Sequence, residues 1–279
     1  MTWKRVATAA VLIPVVVSAV WWGPTWLVGM LVGLVMVVAL AEFFAVAEKA
    51  GTPGFRAWTI CCSAMMLTSP ILARIQGPEW SLWATQVALW VGPMAFLAFF
   101  VGLVPLALAP RKGGLENPAT RVGVSLAGLF FVALPLLALF LLIVGEPGRS
   151  IGFFVLCVVW AGDTAAYFVG RAIGRHKLAP TISPGKTWEG AAANVAASLA
   201  VGYLFARWVP MGLAHMLVMS GLASVAGQVG DLFESACKRA AGVKDSGTLL
   251  PGHGGMWDRI DALIFAAPAV AWYLAIMRN

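Results

Sequence analysis

Charge is what this sequence has least of. Only 11% of its 279 residues are charged, and aspartate occurs just five times. Ordinary soluble domains carry about 25% charged residues, so a water-exposed globular fold is excluded. Cysteine is scarce too: Cys61, Cys62, Cys157 and Cys237 have neither metal-ligand nor redox spacing, and three of them sit in apolar runs, where a thiol acts as a small hydrophobe. What the chain has in quantity is apolar surface, at 61% of residues, the composition of a protein that crosses a bilayer repeatedly. The net charge of +7 would suit a nucleic acid, but the cations are sorted by loop, as membrane topology sorts them.

A span needs about 20 apolar residues. That measure predicts an all-α, polytopic integral membrane bundle of about nine transmembrane helices, near 6–22, 25–46, 57–74, 84–109, 122–144, 150–173, 188–208, 211–232 and 259–277. The first run follows Lys4 and Arg5 like a signal peptide, but it lacks a convincing small-residue cleavage site and is read as an uncleaved helix. With the N-terminus in the cytoplasm, fifteen cations fall on the inner side and four (Arg74, Arg149, Arg207, Arg278) on the outer, as the positive-inside rule requires. The expected protein is a multi-pass protein of the cell (inner) membrane, with both long polar connections of its second half facing the cytoplasm. It is read as a single membrane domain over 1–279, with about 1–145 as scaffold and about 150–279 as the catalytic half.

The first half offers little chemistry. Tryptophans at 21, 22, 26, 80 and 83 lie near predicted outer boundaries as an aromatic belt. Arg111-Lys112 and the residues after them read as a topology anchor attractive to anionic headgroups, and Glu42 reads as a snorkelling or paired acid.

The second half is different. Asp163, Tyr167, Gly170, Arg171 and Gly174 share one helical face, a stripe that lets another helix or a ligand approach closely. A lone aspartate in a span costs about 2.5–3.5 kcal/mol, and both readings of Asp163 stay open: a pair with Arg171 or Lys186, or a direct role on substrate or ion. The Gly185-Lys186-Thr187 triplet resembles the end of a P-loop, but the required glycine at 180 is Pro180 and no parallel α/β pattern surrounds it. The expectation is local: Ser183 and Pro184 start a helix, with Lys186 and Thr187 in its first turn making an anion site.

Four of the five aspartates lie between Asp231 and Asp261. Asp231, Ser235 and Lys238 fall on one helical face beside Arg239. Lys244-Asp245-Ser246-Gly247 is turn chemistry in which Asp245 is a further candidate catalytic carboxylate, and Pro251-Gly252-His253-Gly254-Gly255 is glycine-rich enough to bring backbone N–H groups to phosphate oxygens. Asp258 and Asp261, with Arg259 between them, are expected on one face at the start of the last span. Carboxylates at Asp231, Asp258 and Asp261 suit hard cations such as Mg²⁺, while Lys238, Arg239, Lys244 and Arg259 suit phosphate oxygens. His253 is left open between a donor or acid at a phosphate and an ordinary loop histidine.

These residues carry a resemblance. The run Ser235-x-x-Lys238-Arg239-x4-Lys244-Asp245-x-Gly247-x-x-Leu250-Pro251-Gly252-His253-Gly254-Gly255-Met256-x-Asp258-Arg259-Ile260-Asp261 resembles the signature of the phosphatidate cytidylyltransferases, or CDP-diacylglycerol synthases. Asp163–Gly174 and Ser183-Pro-x-Lys186-Thr187 resemble the family's preceding segments, so the likeness is good from about 155 onward and generic before it. It implies that CTP and phosphatidic acid give CDP-diacylglycerol and pyrophosphate, that Mg²⁺ is required with a monovalent cation such as K⁺ as companion, and that metal is ligated at the positions of Asp231 and Asp258. It also implies a homodimeric helical bundle.

Two other classes make different predictions. A transporter of an anionic solute, coupling through Asp163 and Asp231, predicts inverted repeats and broken helices near the midplane, and the sequence has no repeat. A CDP-alcohol phosphotransferase predicts an aspartate-rich signature that is absent.

Overall fold

The structure, a computed structural model, describes residues 14–75, 82–108, 117–145, 148–249 and 254–277. It is an all-α membrane protein, with one small hairpin among the described residues. Helix α1 covers 14–22. There follow α2 (Thr25–Lys49), α3 (Arg56–Ile75), α4 (Leu82–Leu108) and α5 (Pro118–Gly128), the last running through a π-helical turn, Leu129–Ala133, into α6 (Leu134–Val144). Then come α7 (Arg149–Ile173), strands β1 (Lys177–Ala179) and β2 (Ser183–Thr187), α8 (Trp188–Phe205), α9 (Leu213–Ala240), α10 (Trp257–Ile260) and α11 (Leu263–Met277).

Six stretches among the described residues are long and apolar enough to cross a membrane: Thr25–Lys49, Trp90–Ala107, Pro118–Val144, Arg149–Ile173, Leu213–Ala240 and Trp257–Met277. Helices also form over the expected 57–74 and 188–208 spans, but α8 is diluted by glycine, alanine, asparagine and serine. The 28 residues of α9 extend about 42 Å at about 1.5 Å per residue, more than the roughly 30 Å hydrocarbon layer, so its polar end reaches past the apolar slab. Large apolar side chains at Trp22, Met30, Leu34, Val101, Phe168 and Trp272 are exposed, the surface that lipid rather than water covers.

Local chemistry sets the helix starts. Asn117 caps α5 by accepting from Ala119 N, with Pro118 at the first position. Here the structure corrects an expectation: Ser183 and Pro184 do not begin a helix. Ser183–Thr187 pairs antiparallel with Lys177–Ala179, and Thr187, in extended backbone, caps α8 by accepting from Gly190 N at 3.1 Å. The physical reason is that Thr187 is both β-branched, which suits a strand, and a good cap. Lys186 therefore projects from a hairpin and not from a helical first turn.

The chain divides into two compact units, Met1–Leu137 with Ala240–Asp258, and Ala138–Arg239 with Arg259–Asn279. The loop after α9 groups with the N-terminal helices. In the first unit Trp58 packs where Gly102 leaves room and donates its indole N–H to Phe99 O at 3.2 Å. In the second, α7 and α8 close on each other at Gly170 and Gly190, and a Cβ on Gly190 would meet Ala166 O at 2.9 Å. Helix α9 meets the last span at Gly227 and Gly230, against Ala262, Phe265 and the backbone of Asp261. Small residues thus permit the helix contacts, as expected of membrane packing.

Candidate active site

The second unit gathers most of the singled-out charges. Oxygen atoms of Asp231, Glu234 and Asp261 all lie within 4.8 Å of one another. Asp231 and Glu234 are three residues apart on α9, one turn of a shared face. Asp261 reaches them because the helix after the loop is broken: α10 ends at Ile260, a turn takes up Asp261 and Ala262, and α11 begins at Leu263. This is a second correction, since Asp258 and Asp261 were expected on one continuous helix face. Asp261 Oδ1 accepts from the adjoining Ala262 N at 2.8 Å, within that turn.

Cations accompany these acids. Lys186 Nζ stands 2.6 Å from Asp231 Oδ2, both partly buried, so the hairpin delivers its lysine to the cluster. Lys238 Nζ is 2.7 Å from Glu234 Oε2, one turn apart on α9, and Glu234 is fully buried. Breaking such a buried pair costs about 3–5 kcal/mol. Arg259 lies within electrostatic reach of Asp163 and Asp261. Ser235 Oγ donates to Asp231 Oδ1 at 3.5 Å, the long limit of a hydrogen bond. Arg239 Nε donates to Ile182 O at 3.2 Å and ties the end of α9 to the hairpin turn.

Asp163 is neither bound to Arg171 nor alone. Arg171 donates to Tyr167 Oη at 3.0 Å, and Asp163 Oδ1 accepts from Asn194 Nδ2 at 3.3 Å. Asn194, buried on α8, accepts in turn from Ser224 Oγ at 2.7 Å. Asp163 also lies within electrostatic reach of Asp231 and Lys186, so this polar chain, buried at Ser224 and Asn194 and exposed at Asp163, leads toward the acidic cluster.

The first unit holds the remaining signature residues. Asp258 is buried, and its carboxylate accepts from Ser246 N at 3.2 and 3.0 Å and from Gly255 N at 2.7 Å. Gly254 has φ +79°, a conformation glycine adopts without strain, and a Cβ there would stand 2.5 Å from Asp258 Oδ2. Gly254 thus leaves room for the Asp258 carboxylate beside it. Lys244 and Asp245 are exposed. Gly252 and His253 lie outside the described residues.

Sequence reasoning missed Glu234 and Asn194. Glu234 was legible in principle, three residues after Asp231 on a face already singled out. Asn194 sits in an alanine-rich helix with no local signal.

Fold and site together define a class: an all-α membrane protein with a mixed carboxylate and ammonium cluster in its second half. Known proteins place it further. The profile of the cytidylyltransferase family matches residues 3–277, and the chain belongs to that family. It is 44% identical over 188 residues, 66% of this chain and 67% of the relative, to a protein of Brucella suis biovar 1 (strain 1330) named phosphatidate cytidylyltransferase. Proteins of the same name from Bacillus subtilis (strain 168), 44% identical over 133 residues (47% of this chain, 49% of the relative), and from Haemophilus influenzae, 39% identical over 132 residues (45% and 46%), are also similar.

Proposed function

We propose that this protein is a phosphatidate cytidylyltransferase: it transfers CMP from CTP to phosphatidic acid, giving CDP-diacylglycerol and pyrophosphate for phospholipid synthesis. The observation that carries the proposal is the packing of Asp231, Glu234 and Asp261 within 4.8 Å beside Lys186 and Arg259, in a family of cytidylyltransferases.

The chemistry asks for little acid or base. A phosphatidate oxygen, already anionic, attacks the α-phosphorus of CTP; a new P–O bond forms, the bond to the β-phosphate oxygen breaks, and pyrophosphate leaves. The obstacle is repulsion between two anions, which positioning and charge stabilisation relieve. Lys186, on a hairpin that Arg239 tethers, and Arg259 are placed to hold phosphate oxygens. Buried Ser224 and Asn194 hold Asp163 beside the acidic cluster, and Lys238 holds Glu234 in place.

The donor set fits Mg²⁺: hard carboxylate oxygens from Asp231 and Asp261, with an ammonium already attracted to Asp231 as a stand-in for positive charge. When bound, the ion would neutralise polyphosphate charge at the reacting phosphorus. The resemblance adds Asp258 as a ligand and a companion K⁺. About nine spans, a homodimer and a cytoplasmic site complete the proposal. The last suits substrates of which one is lipid-embedded and the other cytosolic.

The test is pyrophosphate release from purified protein given CTP, phosphatidic acid and Mg²⁺. Release should vanish when any one of the three is omitted, and release without phosphatidic acid would overturn the reaction assigned. A transporter reading has no observation in its favour.

A further inference from the structure

The geometry points to Glu42, on α2 in the N-terminal half, as the positioning residue of the glycine-rich signature loop more than 200 residues later. Its Oε1 accepts from Met256 N at 3.0 Å; its Oε2 accepts from Trp257 N at 2.8 Å and from Ser246 Oγ at 2.8 Å. One carboxylate therefore gathers three donors from both ends of the loop. Hydrogen bonds to an ionised acceptor are among the stronger ones. Two loop glycines leave the carboxylate its place: a Cβ on Gly247 would stand 2.6 Å from Glu42 Oε1, and one on Gly255 would collide with Glu42 Oε2 and Ser246 Oγ. The next residue on α2 makes an apolar dock, Phe43 meeting the buried Trp257 edge-to-face at 5.3 Å between ring centres. Ser246 joins this arrangement to Asp258, because its hydroxyl donates to Glu42 while its N–H donates to the Asp258 carboxylate. Glu42 thus sets the backbone that holds Asp258, and through it the aspartate itself.

A mere topology acid at a helix end would need no such partners. Nor does a snorkelling one collect three N–H and O–H groups at 2.8–3.0 Å. The consequence for function rests on the cytidylyltransferase reading above, in which Asp258 works at the reacting centre. The contact between Glu42 and the loop does not.

The test is Glu42→Gln in full-length protein in nanodiscs, an isosteric change that turns one acceptor into an N–H₂ group facing N–H donors. Hydrogen–deuterium exchange of the 244–258 peptides should rise, with exchange elsewhere unchanged. With CTP and phosphatidic acid, kcat should fall about 10- to 100-fold while both KM values stay within about 3-fold. Gly247→Ala, which crowds Glu42 without altering it, should give the same pattern and decides the matter if Glu42→Gln does not fold. Unchanged exchange in the loop, or a kcat within about 2-fold of wild type, overturns the inference, as does a uniform rise in exchange over the whole chain. If wild-type protein releases no pyrophosphate, the reading of the reaction fails, and the exchange arm still judges Glu42 by itself.

Discussion

The two units use their carboxylates for opposite purposes. In the first, Glu42 and Asp258 are filled by the protein's own N–H and O–H groups: Met256, Trp257, Ser246 and Gly255 occupy them at 2.7–3.2 Å. In the second, Asp231, Glu234 and Asp261 crowd within 4.8 Å of one another, and Asp231 and Glu234 are met by ammonium groups. Acids are costly in an apolar protein, and here that cost is borne for two reasons. Glu42 gathers the backbone and hydroxyl donors that hold a loop of irregular backbone in shape around Asp258, and the second set concentrates charge of the kind the proposed reaction needs. Neutralising an acid should therefore cause different failures in the two units.

The largest effect is expected in the second unit. Asp231→Asn and Asp261→Asn should each lower kcat by at least about 10²- to 10³-fold, the scale of losing a main electrostatic contribution. The protein should stay monodisperse in detergent, because removing one of three crowded like charges also removes repulsion. Measured turnover within 10-fold of wild type for either variant would take that residue out of the reacting cluster and leave the comparison without its second half.

What the sequence made legible follows from how far each signal travels along the chain. The apolar runs and the signature from Ser235 to Asp261 are local patterns, so the helical class and the neighbourhood of the site could both be read. Partnerships between distant segments could not. Glu42 meets Ser246 across 204 positions, and nothing in the neighbourhood of Glu42 marks it. The hairpin at 177–187 was hidden for another reason: in a chain dominated by helices, Ser183-Pro184 looks like a helix start, yet the cap falls four residues later at Thr187. The break between α10 and α11 was hidden because Asp258 and Asp261 have helical spacing. Their different partners appear only once the turn at Asp261 is known.

A smaller effect tests the first unit's side of the comparison. Gly255→Ala places a Cβ against Ser246 Oγ and Glu42 Oε2, and such overpacking costs about 1–3 kcal/mol. The expected outcome is a lowered Tm with activity down about 10-fold or more. Gly221→Ala in α9, where nothing lies within 4 Å, should instead leave activity unchanged and hold or raise Tm, since alanine favours helix by about 0.5–1 kcal/mol. If both variants behave alike, the loop tolerates displacement and the carboxylates do not define it.

The finest distinction lies between two serines. Ser246 Oγ donates to Glu42 at 2.8 Å, and Ser235 Oγ donates to Asp231 at 3.5 Å. Donation to a carboxylate at the shorter distance is worth about 1.5–3 kcal/mol, whereas the longer contact is near the point where a hydrogen bond ceases to count. Ser246→Ala should therefore cost about 10-fold in kcat by loosening the loop, and Ser235→Ala no more than about 2-fold if its hydroxyl serves only Asp231. Steady-state kinetics on the two variants, with CTP and phosphatidic acid varied separately, read this directly. A large rise in KM for CTP in Ser235→Ala alone would mean that this hydroxyl leaves Asp231 for a substrate phosphate. The second unit's polar groups would then be reserved for ligands even where the structure pairs them within the protein.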